Sequence, residues 1–507
     1  MRSLTNVKEA THVLSLMAVA LLSALSLTHS APAATPTAAP LPTALVVQDA
    51  TALRAAPREA APLHAQLARG AALELRGAQG DWWQVWDHAA ERGGFVRAAT
   101  LLPLPNGAAA LEGLRAQLQL VRQQPGAEGL GLGLAAALIE RADGDWLASS
   151  AGAEVLDTLG ELQARLAERA NRPAGTPAQQ SQLAAQLELA RRYGWAPQAL
   201  AQPDGSQRLC AQPEADRQLL GLKAASPTQR AHAALRLTEG DCVEATLLPS
   251  ARLQHDTWRV EVLAQVEASA LPPHVRNRLL LRRASVQASL AFARRADTAA
   301  TQAAAEQAWA AWMALVPAAL SEDDSAAQRE AALRIAPLRW ALQPEPAEGL
   351  SWGALRLRRV AGEAGLAGQQ CVALQTAQGE RLRRCTQGRF WLNSVRRSPD
   401  GQSLVMAVQP LEGWTELWRI QVADGSVQVL PPAAAQPGLG VAEWAGWSGS
   451  QLLVAREAWA EGRALRRFEV LGADLLQPLR WSPEAQLLGA FQRGADPAWK
   501  AGSPLAR

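Results

Sequence analysis

Lysine is almost missing from this chain: Lys8, Lys223 and Lys500 are its only three among 50 basic residues. Tyrosine occurs once, at Tyr193, and cysteine four times. Ala, Arg, Gly and Pro are plentiful instead, which is the usage of GC-rich codons, so Arg in place of Lys says little about adaptation. A surplus of one charge is missing as well. Fifty basic against 47 acidic residues leave +3, so no global field selects nucleic acid or an anionic membrane as the main partner. Disorder of the whole chain is excluded by 48% apolar and 19% charged residues. At 507 residues the chain exceeds one ordinary domain, and roughly two to four are expected.

Membrane-spanning runs are missing too. Arg2 and Lys8 precede the apolar stretch Val13–Leu27, and small residues follow, with Ala31-Pro32-Ala33 as the best A-x-A site. That order is a secretory signal over residues 1–33. The run of 15 residues falls short of a spanning helix, which needs roughly 20. No cysteine lies beside it to carry a lipid anchor. The mature chain is expected to be soluble and periplasmic, with a membrane as partner only if the signal stays uncleaved. An even cysteine count fits an oxidising compartment. Four cysteines allow three pairings; Cys210 with Cys242 and Cys371 with Cys385 are expected because each couple falls inside one inferred domain. A four-cysteine metal site needs close C-x-x-C couples, which the chain lacks.

Residues 34–43 read as a Pro/Ala linker. Over 44–104 the period is two: Leu63, Ala65 and Leu67, then Leu73 and Leu75, then Asp81-Trp82-Trp83-Gln84-Val85-Trp86, then Gly93-Gly94-Phe95-Val96, with glycine turns between. Short strands at this spacing indicate a small barrel. The run from Thr51 to Leu102 resembles the bacterial SH3-like (SH3b) domain. Arg54 and Pro57 match its opening motif, Gly70 the glycine before its second strand, Trp82 and Val85 its W-x-x-V strand, and Gly94-Phe95-Val96 its closing strand. Ala56 stands where the family has Gly, and Phe95 where it has Trp. The resemblance implies a non-catalytic module that binds cell-wall peptide or an envelope protein.

From 106 to 345 the period becomes 3.6. Val155, Leu156, Leu159, Leu162 and Leu166 share one helical face, and Leu183, Leu187 and Ala190 begin another that stops at Gly194. Pro272-Pro273 opens a helix running to Phe292, and helices follow over 299–316 and 322–341, the last behind Ser321 as N-cap. Helical neighbours assign 258–267 to helix. No fixed repeat period is present, so the region is an irregular helical domain. Residues 350–507 return to strands. Ser398-Pro399-Asp400-Gly401, Trp447-Ser448-Gly449-Ser450 and Trp481-Ser482-Pro483-Glu484 each precede an expected strand, the last being Gln486–Phe491. These starts resemble the blades of TolB-type β-propellers. Only three to four blade-sized stretches fit, so an incomplete propeller-like domain is expected. The fold class is therefore multidomain α+β.

Catalytic patterns are scarce. H-E-x-x-H, S-x-x-K, G-x-S-x-G and phosphate-binding glycine loops do not occur; Gly129, Gly131 and Gly133 suit a helix start or loop. His88 and Glu91 lack further zinc ligands nearby. No metal or cofactor is implied, and the chain is expected not to be an enzyme. Two binding candidates remain. On a strand, Trp82 and Trp86 share one face and Trp83 takes the other, so at least one ring lies outside the core. That ring either stacks on a ligand or packs on the helical domain. The second candidate is basic: Arg356, Arg358, Arg359, Arg381, Arg383, Arg384, Arg389, Arg396 and Arg397 face only Glu363, Glu380 and Asp400 over 355–400. Arg381, Arg383, Arg384, Arg396 and Arg397 either hold an anion or form a solvated face. The leading expectation is a non-enzymatic envelope scaffold binding peptidoglycan peptide or an envelope protein, without nucleic acid. The alternative is a peptidoglycan-modifying enzyme with its site in the helical domain and the barrel as targeting module.

Overall fold

The computed structural model describes residues 42–105, 110–172, 175–202, 205–211, 214–244, 246–322, 324–362, 368–472 and 477–504. The expected signal and most of the linker lie outside these residues. Strand pairing begins at Thr43, the last position expected of the linker.

Strands β1 (Thr43–Val46), β2 (Thr51–Arg54), β3 (Leu63–Leu67), β4 (Ala72–Gln79), β5 (Trp82–Asp87), β6 (Arg92–Arg97) and β7 (Leu101–Pro103) make one antiparallel sheet. Their order is β3-β2-β6-β5-β4-β1-β7. The period-two pattern sends Leu73, Leu75, Val85 and Val96 into one core. The sheet does not close: β3 and β7 end the path, and the expected barrel is an open sheet. Helical packing accounts for the difference, because Leu189 and Tyr193 from the next region complete that core.

The helices are α1 (Ala110–Arg122), α2 (Glu128–Arg141), α3 (Gly144–Leu147), α4 (Ser150–Asn171) and α5 (Pro177–Arg192). A hairpin of β8 (Gln198–Ala201) and β9 (Gln207–Cys210) interrupts them, which the periodicity does not announce. Then come α6 (Glu214–Gly221), α7 (Pro227–Leu237), α8 (Pro249–Ala264), α9 (Pro273–Ala293), α10 (Thr298–Met313) and α11 (Asp324–Ile335). Local chemistry sets several starts. Thr176 with Gln179 and Ser226 with Gln229 form capping boxes, each with Pro at the first turn. Ser321 and Asp324 exchange bonds in the same way before α11. The stretch expected as one helix to 341 breaks after Ile335 into a 3₁₀ turn, since Pro337 lacks the N–H that would continue it.

Three four-stranded antiparallel meanders follow. The first is β10 (Leu350–Trp352), β11 (Leu355–Ala361), β12 (Gln370–Thr376) and β13 (Gly379–Thr386). The second is β14 (Arg389–Arg397), β15 (Ser403–Leu411), β16 (Trp414–Gln421) and β17 (Val427–Leu430). The third is β18 (Leu439–Ser448), β19 (Gln451–Ala460), β20 (Arg463–Leu471) and β21 (Pro478–Ser482). A short parallel pairing of Trp414 and Thr415 with Gly440 and Val441 joins the last two into an eight-stranded sheet. Ser398–Gly401 makes the expected turn, with Gly401 at φ +74° and Asp400 accepting from the Ser398 hydroxyl. Trp447-Ser448 closes β18, and Gly449-Ser450 leads into β19 at Gln451 as expected, whereas Trp481-Ser482 ends β21. Gln486–Phe491 is not a strand. A 3₁₀ turn leads into α12 (Gly489–Gly494), then α13 (Pro497–Gly502). These short helices set Phe491 against Phe468 on the sheet and Trp499 against Phe491, burial that an edge strand there does not provide.

Residues Pro42–Arg507 form one unit. One core shared by α9, α10 and α11 takes in Trp391, Ala407 and Val441 from the strands. Cys210–Cys242 and Cys371–Cys385 are bonded, the local pairing expected, and the bonds place the chain in an oxidising, extracytoplasmic compartment. No helix among the described residues is long and apolar enough to cross a membrane.

Candidate functional site

The aromatic strand β5 holds Trp82, Trp83 and Trp86 apart in role. Trp83 shares the face of Val85 and packs on the core of the open sheet. Trp82 lies opposite, yet only 6% of it is exposed, because the Arg97 guanidinium sits 4.5 Å above its ring. Arg97 is itself held by Glu59 at 2.9 Å. Trp86 is half-buried under Arg76, 4.5 Å from its ring. Glu74 binds both Arg76 and His88, at 2.6 and 2.7 Å. Bonds from Arg76 and His88 lower the Glu74 carboxyl below its ordinary range. Of the three rings, Trp86 is therefore the one on an open polar surface.

The arginines divide. Arg381 and Arg383 stand exposed on β13. Arg384 lies over Trp418 at 5.2 Å. Arg396 is turned inward toward Trp444 and donates to the Asn393 and Val395 carbonyls. Arg397 binds the Gly401 carbonyl in its own turn. The five do not meet at one anion site.

A third place was not visible in the sequence. A cavity of about 800 Å³ opens between α4, α6, α7, α8 and the β8–β9 hairpin. Asp216, Arg236, Glu239, His255 and Trp258 line it, and the Cys210–Cys242 bond forms part of its wall. The hairpin is fixed from behind by Asn171, whose amide bonds both the N–H and the carbonyl of Leu209 at 2.8 Å. His255 and Trp258, three apart on α8, bring their rings to 5.4 Å. Burial lowers the His255 pKa, which favours the neutral ring.

Behind the cavity, Arg236 bridges two buried carboxylates, Asp216 at 2.6 Å and Asp157 at 3.0 Å. Burial opposes ionisation of Asp157, but His232, Arg236 and Arg122 hold its pKa down to about 2. At Asp216 burial outweighs the pairing with Arg236 and raises the pKa, with Asp157 adding to the shift. Every carboxylate on the wall has an arginine: Glu161 with Arg122, Glu168 with Arg172, Asp216 with Arg236 and Glu239 with Arg282.

No family model, curated protein or solved structure matches the chain.

His88 and Glu91 do not form a pair: His88 binds Glu74, and Glu91 takes φ +48° in the hairpin turn. Among the described residues no three His, Cys, Asp or Glu side chains converge to hold a metal. The cavity residues come from five elements spread over 161–258, and the spacing of His255 and Trp258 was their only local signal.

Proposed function

We propose that this is an exported, periplasmic cell-envelope protein that binds and scaffolds rather than catalyses. The observation that carries this reading is the commitment of every cavity carboxylate to an arginine. A general acid or base needs a group free to exchange its proton near the working pH, and each of these carboxylates is already committed to a guanidinium. The SH3-like resemblance of 51–102 directs binding to wall peptide or an envelope protein. The exposed cluster of Trp86, Arg76, Glu74 and His88 offers a ring, a cation and a carboxylate on the outer face of the open sheet. A closed barrel and a propeller remain part of the resemblance alone.

The test is retention of the full chain on insoluble peptidoglycan beside Trp86→Ala, whose ring is not part of the core. Retention of the parent with loss in the folded variant is expected. No retention of the parent overturns the wall-binding reading. The convergence of Asp216, Glu239 and His255 on one cavity favours a second reading, a peptidoglycan-modifying enzyme. Release of soluble wall fragments by the parent, abolished in Asp216→Asn, would replace the first reading with the second.

A further inference from the structure

We propose that the solvent face of the β10–β13 sheet docks on the phosphates of anionic lipid headgroups at a membrane surface. One face of this sheet is spent: Leu355, Leu357, Val372 and Leu374 point into a core shared with β14, β15 and β16. Alternation sends the intervening side chains outward. In the register, Arg358 pairs with Ala373 and Ala373 with Arg383, so two arginines on β11 and β13 flank a small residue in one row. Arg356 stands two positions along on the same face. A bulge between Leu374 and Gln375 gives β13 one extra residue opposite β12, and Arg381 is that residue. The bulge brings Arg381 against the turn at Gly425, where a Cβ would lie 3.3 Å from the Arg381 Cβ, so Arg381 stands at the margin of the face. All four arginines are exposed.

Among the described residues, Glu380 binds Arg383 at 2.9 Å and also feels the charge of Arg358, while no ion pair forms at Arg356 or Arg381. The Cys371–Cys385 bond ties β12 to β13 and keeps the rows in register. Strands two apart in a sheet are about 10 Å from each other, so Arg358 and Arg383 suit separate anions in a planar array better than one enclosed anion. The extracytoplasmic setting removes nucleic acid as an occupant, and Arg matches phosphate with two parallel bonds. The chain's small net charge is no obstacle, since a local patch acts within a Debye length. This inference is independent of the wall-binding reading and fails or holds apart from it.

The experiment is co-sedimentation of the full chain with phosphatidylcholine vesicles, alone or with one third phosphatidylglycerol. Sedimentation only with the anionic vesicles, weakened by added salt, is expected. Arg356→Gln/Arg358→Gln removes two groups without breaking an ion pair. It should weaken binding about thirtyfold, at roughly fivefold per arginine on an anionic surface. Arg397→Gln, an exposed arginine elsewhere, should leave binding unchanged. Equal sedimentation with neutral vesicles, none with either, or equal loss in both variants overturns the proposal. So does release by inorganic phosphate beyond that by chloride at matched ionic strength, which would mean a single-phosphate site rather than a membrane surface.

Discussion

Glu457 stands on β19 with its side chain one-tenth exposed, 3.0 Å from the Arg466 guanidinium at each oxygen. Burial raises its pKa to about 6; Arg466 opposes the shift and the nearby Glu443 adds to it. The folded state therefore binds this proton more tightly than the unfolded chain, whose carboxyl titrates at the ordinary 4.5. Its contribution to stability is full below pH 4.5 and is lost as pH rises through about 6. The loss is about 2 kcal/mol. Asp157 has the opposite sign in a lower window: its contribution is present above 3.8 and lost toward about 2. Urea unfolding at pH 5 and 7.5 should show the parent losing stability between them, with a shallower loss in Glu457→Gln. Identical slopes would disprove this assignment. The burial deciding both shifts is tertiary, so the sequence does not distinguish one acid from the other.

The helix α2 shows what glycines do at the scale of an element. Gly70, at φ +96°, brings its turn so near α2 that a Cβ there would lie 2.1 Å from the Gly129 carbonyl oxygen. A Cβ on Gly129 would lie 2.6 Å from the Arg69 carbonyl oxygen. Tyr193, the single tyrosine, donates to the Gly70 carbonyl at 2.6 Å and seals the contact. Gly113 on α1 meets nothing within 4 Å. Alanine in place of glycine normally favours a helix by about 0.5–1 kcal/mol. Gly113→Ala should gain that much, whereas Gly129→Ala should lose about 2 kcal/mol from the forced backbone shift. Thermal melts giving the same sign for both would disprove the close approach. The sequence left Gly129 at a helix start or loop; its purpose came from the neighbouring turn at Gly70.

Across the whole molecule, one carboxylate fastens the sheets to the helices. Glu412, in the turn between β15 and β16, accepts from Ser289 of α9 at 2.5 Å and Arg252 of α8 at 3.2 Å. Arg334 of α11 lies 3.6 Å away. Glu412→Ala leaves Ser289, which is 5% exposed, and two cations without this partner. Partial exposure of Glu412 moderates the effect to about 2 kcal/mol. Unfolding midpoints should fall accordingly, and an unchanged midpoint would show that apolar packing alone holds the two layers. A second buried carboxylate, Glu443, accepts from Arg339, the Trp499 indole and Ser503, which anchors the C-terminal helices.

Periodicity, turn chemistry and capping are local, and they determined most strands, most helices and the two disulfide pairings of this protein. They were right where neighbours in sequence decide the conformation, as at the cap Ser321 or the turn Ser398–Gly401. They failed where distant surfaces compete. The first sheet stayed open because α5 covers it, Gln486–Phe491 became helical because two aromatic rings are buried from there, and Arg97 covers Trp82. The cavity around Asp216 and Glu239 and the row Arg358–Ala373–Arg383 are products of packing and register. Both join residues far apart in the chain, and only the tertiary structure brings such residues within reach of one another.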